Sequence, residues 1–151
     1  MPDEPWLFRV ETMEEAAAKA FELGTCIFLT TGSRTLGIFK KAQTEKSRLI
    51  ARILPEPDGI GQARELGFMP RDIIGMEGPF SKELNEALFK NSLADVVVLK
   101  NSGKAGGTSE KLAACKALGI KAVVVDRPKL ALPNQYETGE ELLEALQKLL
   151  K

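Results

Sequence analysis

A recurring pattern of polar and apolar positions organises this chain of 151 residues: a helical stretch, a Leu-Gly pair and then an apolar run. The first helix is predicted over residues 13–23, because Thr12 and Glu15 have the spacing of a capping box. We expect Gly24 to end it in the left-handed conformation. The apolar run at residues 25–30 is typical of a buried strand. The pattern returns at residues 63–67 before a strand candidate at 73–76, and at residues 110–119 before a strand candidate at 121–125.

Other strands and helices alternate between these repeats. Ser81 has the position of a helix N-cap, and a second capping box at Thr138 precedes leucines with helical spacing. The remaining predictions are a strand at 47–54, a helix at 82–91, a strand at 95–99 and a helix from residue 138. Continuous apolar strands alternating with helices predict one α/β domain over residues 1–151. Its sheet would be doubly wound and mostly parallel, with about five strands and helices on both faces, as in Rossmann-like or flavodoxin-like folds.

Composition narrows the classes of function. Basic and acidic residues number 21 each, which argues against a nucleic-acid-binding surface. The sequence contains no histidine, which excludes the usual imidazole zinc site and any histidine-activated nucleophile, and we expect no metal. No apolar run approaches the roughly 18 residues of a membrane span. Two cysteines without a CxxC spacing favour a reduced, cytoplasmic protein.

Segments that follow strands are the candidates for chemistry, because ligands of open parallel sheets bind outside the carboxyl ends of the strands. The first such segment combines hydroxyl groups, a glycine that lets a ligand approach the backbone, and an arginine suited to carboxylate or phosphate. An ordinary strand-to-helix turn with a hydroxyl cap is the alternative. The predicted ligand-binding residues of this segment are Thr30, Thr31, Gly32, Ser33 and Arg34.

The segment after the three valines at 96–98 is rich in glycine, lysine and small polar residues, a composition typical of anion-binding loops. It lacks the spacing of a Walker A loop, and a flexible surface loop is the alternative. The predicted ligand-binding residues here are Lys100, Asn101, Ser102, Gly103, Gly106, Gly107 and Thr108.

Two shorter segments have the same kind of position. Glu77 and Gly78 follow a predicted strand, so the carboxylate of Glu77 is a candidate for the site, although a solvated turn glutamate is the commoner case. Asp126 and Arg127 follow the strand at 121–125, where Arg127 would either face the cleft or form a structural ion pair. No residue is identified as the catalytic group.

Several motifs occur together and in order along the chain. They are Thr30-Thr31-Gly32, Arg52-Ile53-Leu54-Pro55, Gly78-Pro79-Phe80-Ser81-Lys82-Glu83-Leu84-Asn85, Lys100-Asn101-Ser102-Gly103, Gly106-Gly107, Glu110-Lys111 and Arg127-Pro128. Taken together they resemble the precorrin-6A reductase family, and more closely its cobalt-precorrin-6A reductases of the anaerobic cobalamin pathway. The resemblance runs from about Trp6 to the last residue.

The resemblance implies an oxidoreductase that uses NADPH to reduce a double bond of (cobalt-)precorrin-6A, a carboxylated tetrapyrrole. The cofactor would supply the hydride, so a histidine nucleophile is not needed. The segments at 30–34 and 100–108 would face a cleft and bind substrate carboxylates or cofactor phosphates. The alternative is a non-catalytic nucleotide- or anion-binding domain with a flavodoxin-like fold.

The resemblance also implies a partner domain. Proteins of this family have two α/β halves, and the first begins with a strand and a Gly-Gly-Thr loop that this chain lacks. The chain resembles the C-terminal half, so we expect a fragment that is inactive without the missing N-terminal half; a natural split protein is the alternative.

Overall fold

The computed structural model describes residues 4–101 and 107–126 of the chain. Six strands form one sheet: β1 (Leu7–Val10), β2 (Cys26–Leu29), β3 (Arg48–Ile53), β4 (Ile73–Gly75), β5 (Val96–Lys100) and β6 (Lys121–Val125). Their order is β1-β6-β5-β2-β3-β4, and every neighbouring pair is parallel. The prediction of a parallel α/β sheet is confirmed, whereas the count of about five strands is one too low.

The strand that the sequence analysis missed is β1, at one edge of the sheet. Leu7 pairs with Ala122 and Val10 with Val125, so β1 lies beside β6. Its side chains are only partly buried up to Val10, and Arg9 is exposed. An edge strand needs less apolar character than a central one, and for this reason the apolar pattern was too weak to predict it.

Helices cover both faces of the sheet, as predicted. The helices are α1 (Met13–Leu23), α2 (Leu36–Ala42), α3 (Pro57–Glu65), α4 (Lys82–Asn91) and α5 (Thr108–Leu118). Side chains of α1, α2 and α3 pack in one apolar cluster with Ile27 and Val98, and side chains of α4 and α5 pack in a second cluster with Phe28 and Val97. Because neighbouring strand residues belong to opposite clusters, both faces of β2 and β5 are buried. The helix predicted from residue 138 lies outside the described residues.

Local capping signals located the helix ends well, with one exception. The hydroxyls of Thr12 and Ser81 accept hydrogen bonds from the backbone N–H groups of Glu15 and Leu84 (both 3.1 Å), as their N-cap positions predicted. Gly119 ends α5 with a left-handed φ of 70°. Gly24 does not: its φ of −167° is extended, so the predicted left-handed cap is wrong. A Cβ at Gly24 would lie 2.7 Å from the Cβ of Asp95, and this close approach is what requires glycine there.

The strand order produces a switch point between β2 and β5, which are neighbours in the sheet. After β2 the chain moves outward to β3 and β4, whereas after β5 it moves the opposite way to β6. The segments that leave the carboxyl ends of β2 and β5 therefore diverge and leave a crevice between them. The two longer segments predicted to bind a ligand, at residues 30–34 and 100–108, begin at this point.

Candidate functional site

The segment after β2 is hydrogen-bonded to the neighbouring strand β5 where the crevice begins. The backbone N–H of Thr30 donates to the carbonyl of Val98 at 3.0 Å, and the Thr30 hydroxyl donates to the same carbonyl at 2.8 Å. Lys100 ends β5 only two residues further on. The structure thus brings the starts of the two predicted segments together, and it uses the Thr30 hydroxyl to hold them there.

Internal hydrogen bonds shape the turn that follows Thr30. The hydroxyls of Thr31 and Thr35 lie 2.7 Å apart, and the Thr35 hydroxyl donates to the carbonyl of Gly32 at 2.9 Å. Thr31 is buried, so its hydroxyl is a structural group. Gly32 has a φ of 94°, and a Cβ added to it would meet no atom within 4 Å. The backbone at Gly32 therefore faces open space that a ligand can enter.

Ser33 and Arg34 contribute to a cavity of about 280 Å³ beside this turn. The remaining lining residues come from the turn that joins β3 to α3 and from α3 itself: Leu54, Glu56, Asp58, Gly59 and Gln62. A Cβ on Gly59 would lie 3.1 Å from the Ser33 hydroxyl oxygen, so α3 approaches the turn closely. The carboxylates of Glu56 and Asp58 share this cavity with Arg34. The cavity therefore carries charges of both signs, whereas the sequence suggested a positive one.

The segment after β5 is in part structural. The side-chain amide of Asn101 donates to Asp126 at 2.9 Å, and Asp126 also pairs with Arg9 at 3.3 Å. This chain of contacts ties the carboxyl ends of β5, β6 and β1 together. The buried Thr108 hydroxyl donates to the carbonyl of Lys100 at 3.1 Å and closes the segment against its own strand.

Other predicted residues of this segment are only partly described. Lys100 is exposed, and Gly107, just before α5, has a left-handed φ of 75°. Ser102, Gly103 and Gly106 lie outside the described residues, as does Arg127.

Glu77 and Gly78 are exposed and follow β4, the strand at the far edge of the sheet. Strands β2 and β4 are separated by β3, which places the Glu77 segment on the order of 10 Å from the switch point. A Cβ on Gly78 would lie 3.2 Å from the ring of Phe80. Gly78 thus allows the Phe80 ring to fold back towards the sheet.

The structure adds one residue that the site prediction lacked, Arg52 of β3. It has only 5% of its surface exposed, and its Nη1 donates to the side-chain oxygen of Asn85 at 2.7 Å. Its Nη2 is buried without a hydrogen-bond partner within the described residues. The ring centre of Phe80 lies 3.8 Å from the guanidinium carbon.

The sequence contained a signal for the contact between Arg52 and Asn85. Arg52 is the one charged residue between Leu49 and Leu54, a stretch that otherwise fits a strand buried on both faces. Asn85 is separated by one helical turn from Phe89, which packs edge-to-face on Phe28 with ring centres 4.8 Å apart. A charge in a buried strand and an amide on a buried helix face each predict a polar contact, but only the fold shows that they meet.

Burial lowers the pKa of two basic side chains here. Desolvation lowers the pKa of Arg52 to about 10. The pKa of Lys111 in α5 is lowered to about 8, first by burial and then by the positive charge of Arg52, with Glu110 opposing and Lys100 adding to the effect. Two positive groups of β3 and α5 therefore influence one another on the same side of the sheet.

The described part of the chain offers little support for a thiol nucleophile, a metal site or a membrane span. Burial raises the pKa of both thiols, for Cys115 to about 12, so neither has the properties of a nucleophile. Cys26 is only half-buried. Within residues 4–101 and 107–126, no three acidic or cysteine side chains are grouped as metal ligands. No helix among these residues has the length and apolar character needed to cross a membrane.

Comparison with known proteins gives one consistent answer. The family described as "Precorrin-6x reductase CbiJ/CobK" matches residues 2–148. The chain is 42% identical over 139 residues to a cobalt-precorrin-6A reductase of Priestia megaterium and 38% identical over 141 residues to one of Salmonella typhimurium. These alignments cover 91% and 93% of this chain but 54% and 51% of the relatives. The chain thus spans about half the length of these two relatives.

A solved structure agrees on the fold. The protein described as CobK precorrin-6A reductase superposes with a TM-score of 0.69 at 24% identity, over 98% of this chain and 58% of that one. At this level of identity the likeness supports the same arrangement of strands and helices, and the function has to be argued from the site.

Proposed function

The chain belongs to the precorrin-6x reductase family, and on that premise we propose that it forms one α/β domain of an NADPH-dependent reductase of (cobalt-)precorrin-6A in cobalamin biosynthesis. The observation that carries the proposal is the crevice at the switch point between β2 and β5. The two longer segments that the sequence marked as ligand-binding leave the sheet there, whereas Glu77 and Gly78 follow β4. In parallel α/β sheets this is where cofactors and substrates bind.

The residues at the crevice fit a phosphate- or carboxylate-bearing ligand. Gly32 leaves its backbone open, and Ser33 and Arg34 line the adjoining cavity. NADPH, when bound, supplies the hydride. In our proposal the chain holds the reacting groups together: the backbone at Gly32 and the side chain of Arg34 bind anionic oxygens, and the hydrogen bonds from Thr30 to Val98 keep the two segments in register.

The proposal also includes a second domain. The relatives have about twice the length of this chain, and a crevice at one edge of a sheet leaves a bound ligand uncovered on one side. We propose that this chain corresponds to the C-terminal half and that a second α/β half closes the site, so that this chain alone lacks reductase activity. We further propose a cytoplasmic enzyme, in keeping with two unpaired cysteines among the described residues.

The test is a pair of binding and turnover measurements. NADPH and uroporphyrin, a tetrapyrrole polycarboxylate, are titrated against this chain alone and against a mixture with the separately expressed half of the Priestia megaterium relative that this chain does not match. We expect both probes to bind more tightly to the mixture. We also expect oxidation of NADPH, followed by its absorbance, only when the mixture receives cobalt-precorrin-6A.

Two outcomes would contradict the proposal. A mixture that bound neither probe would exclude the reductase assignment. Binding of NADPH by this chain alone, with no gain and no turnover in the mixture, would instead favour a non-catalytic nucleotide-binding domain. Arg34→Ala gives the test at residue level, because loss of its charge should weaken anion binding most at low salt.

A further inference from the structure

Arg52 is a buried cation for which the described chain offers no carboxylate. Its guanidinium has five N–H donors, and the hydrogen bond to Asn85 satisfies only one of them. Nη2 has no partner. Burying a charge without a counter-ion is costly, so a native fold that keeps one normally needs it for a ligand or a partner group.

The side chain is held in place without being neutralised. The amide nitrogen of Asn85 donates to the carbonyl of Ser81 at 3.0 Å, which fixes the amide so that its oxygen faces Arg52. The Phe80 ring covers the guanidinium, and the rings of Phe28 and Phe89 lie 5.6 and 6.0 Å from its central carbon. An aromatic face stabilises a cation but leaves the N–H groups in its plane free to donate.

The environment of Arg52 is positive on the side of α5. Its charge is one of the causes that lower the pKa of Lys111, an effect that Glu110 opposes, and no acidic group in the described part of the chain offsets the desolvation of Arg52 itself. Lys111 is half-buried, and α4 and α5 are in contact. Lys111 therefore adds a positive charge on this side of the sheet and does not neutralise Arg52.

We propose that Arg52, supported by Lys111, binds an anionic oxygen group of a ligand, a carboxylate or a phosphate, on the α4 and α5 side of the sheet. Two oxygens of such a group match the planar N–H pattern of a guanidinium, which explains why the Nη2 donors are left unfilled by the protein. The binding role follows from Arg52 and its neighbours. The source of the anion rests on the proposed function, in which both the substrate and the cofactor carry such groups.

The test uses Arg52→Met, which removes the charge but keeps an apolar side chain of similar length. Arg48→Met is the matched control, because Arg48 lies on the same strand and the same face but at its other end, where it pairs with Asp72 at 2.8 Å. Binding of NADPH, uroporphyrin and inorganic phosphate is measured for each variant, together with the midpoint of urea unfolding.

We expect Arg52→Met to weaken binding of at least one probe by roughly 10- to 100-fold, the effect of losing a charge-assisted hydrogen bond. Arg48→Met should bind as the wild type does. The unfolding midpoint of Arg52→Met should stay close to that of the wild type, because removal of a buried charge without a counter-ion offsets the loss of the hydrogen bond to Asn85. A loss confined to NADPH assigns a cofactor phosphate, and a loss confined to uroporphyrin assigns a substrate carboxylate.

Three results would overturn the inference. The first is a variant Arg52→Met that keeps wild-type affinity for every probe. The second is a variant that unfolds at much lower urea but binds normally per folded molecule, which would make Arg52 structural. The third is a wild-type chain that responds to none of the probes. If Arg52→Met does not fold, Lys111→Met takes its place, with an expected weakening of the same probe by roughly 3- to 10-fold, and unchanged affinity again overturns the inference.

The phosphate arm separates this inference from the proposed function. Phosphate also stabilises proteins in general, because it is excluded from their surface. Specific binding is therefore measured as the rise in the urea midpoint that phosphate causes in the wild type and in Arg48→Met, beyond the rise that it causes in Arg52→Met. Such an excess, without binding of NADPH or uroporphyrin even in the two-part mixture, would support the anion site and refute the reductase assignment.

Discussion

The amino-end and carboxyl-end sides of the sheet, called here its amino edge and carboxyl edge, differ in how many hydrogen-bond partners their charged side chains have. At the amino edge, one carboxylate oxygen of Asp95 accepts hydrogen bonds from the backbone N–H groups of Thr25 and Cys26, both at 3.0 Å, and from the Thr25 hydroxyl at 3.1 Å. At the carboxyl edge, Arg52 has Asn85 for one nitrogen and no partner within the described residues for another. The three hydrogen bonds to Asp95 join the start of β2 to the start of β5 and serve stability, whereas the unfilled donors of Arg52 are available to a ligand.

The strongest test of this comparison removes the one partner that Arg52 has. Asn85→Leu keeps the volume but leaves the guanidinium buried with no acceptor, and we expect the free energy of unfolding to fall by about 3 kcal/mol. Asn85→Asp is the matched variant: its carboxylate pairs with Arg52 but cannot donate to the Ser81 carbonyl, so it should be less destabilised than Asn85→Leu while still blocking anion binding. Urea denaturation of both variants measures the effect. Equal stability of Asn85→Leu and wild type would mean that Arg52 does not depend on Asn85.

A second test addresses the amino edge through Gly24. A Cβ there would lie 2.7 Å from the Cβ of Asp95 and 2.9 Å from Val96, so Gly24→Ala should destabilise by about 2 kcal/mol. Gly61→Ala is the control, because Gly61 lies inside α3 with no atom within 4 Å of an added Cβ. Alanine there should raise stability by about 0.5 kcal/mol through helix propensity. Similar effects of the two substitutions would contradict the close approach.

The third test concerns the charge of Asp95. Burial would raise its pKa, but the hydrogen bonds from Thr25 and Cys26 outweigh burial and lower it. A lowered pKa means that the ionised form stabilises the fold above the ordinary value of 3.8 and that this contribution is lost as pH falls below it. Asp95→Asn keeps an acceptor oxygen but loses the charge, so in this exposed position it should cost roughly 0.5 to 1 kcal/mol at neutral pH, with a difference from wild type that shrinks in acid. A difference that stays constant from neutral to acid pH would show that the charge of Asp95 is not involved.

The smallest expected effect is at Gly78, on the ligand-binding edge. Its added Cβ would lie 3.2 Å from the Phe80 ring, so Gly78→Ala should shift the ring from the guanidinium of Arg52 and cost about 0.5 kcal/mol, part of a cation–π contact. The affinity for the probe that Arg52→Met weakens should change in the same variant. Unchanged stability and affinity would separate Phe80 from the function of Arg52.

The sequence was sufficient where the signals are local. Thr12 and Ser81 marked the starts of α1 and α4 because an N-cap depends on a few consecutive residues. The valines of β5 marked a buried strand because both of its faces are covered. The positions of the segments after β2 and β5 followed from the general geometry of parallel sheets.

The failures share a dependence on distant residues. The sequence around Gly24 predicts a left-handed helix cap, yet its conformation is set by Asp95, which is far along the chain. β1 is weak by itself and is held by its pairing with β6. Arg52 carries no local signal of a binding role, because its burial depends on α4 and its partner Asn85 comes from a different motif. Such contacts exist only after the sheet order is established, so no local pattern predicts them.

The pairing of β1 with β6 has a consequence for folding kinetics. Leu7 lies beside Ala122, so this contact closes a loop that contains almost the whole described fold. Contacts of such high sequence separation form late, because the entropy of loop closure must be overcome before they contribute. We expect β1 to dock last and detach first, and the backbone amides of β1 to exchange with deuterium faster than those of β2 and β5 at the centre of the sheet.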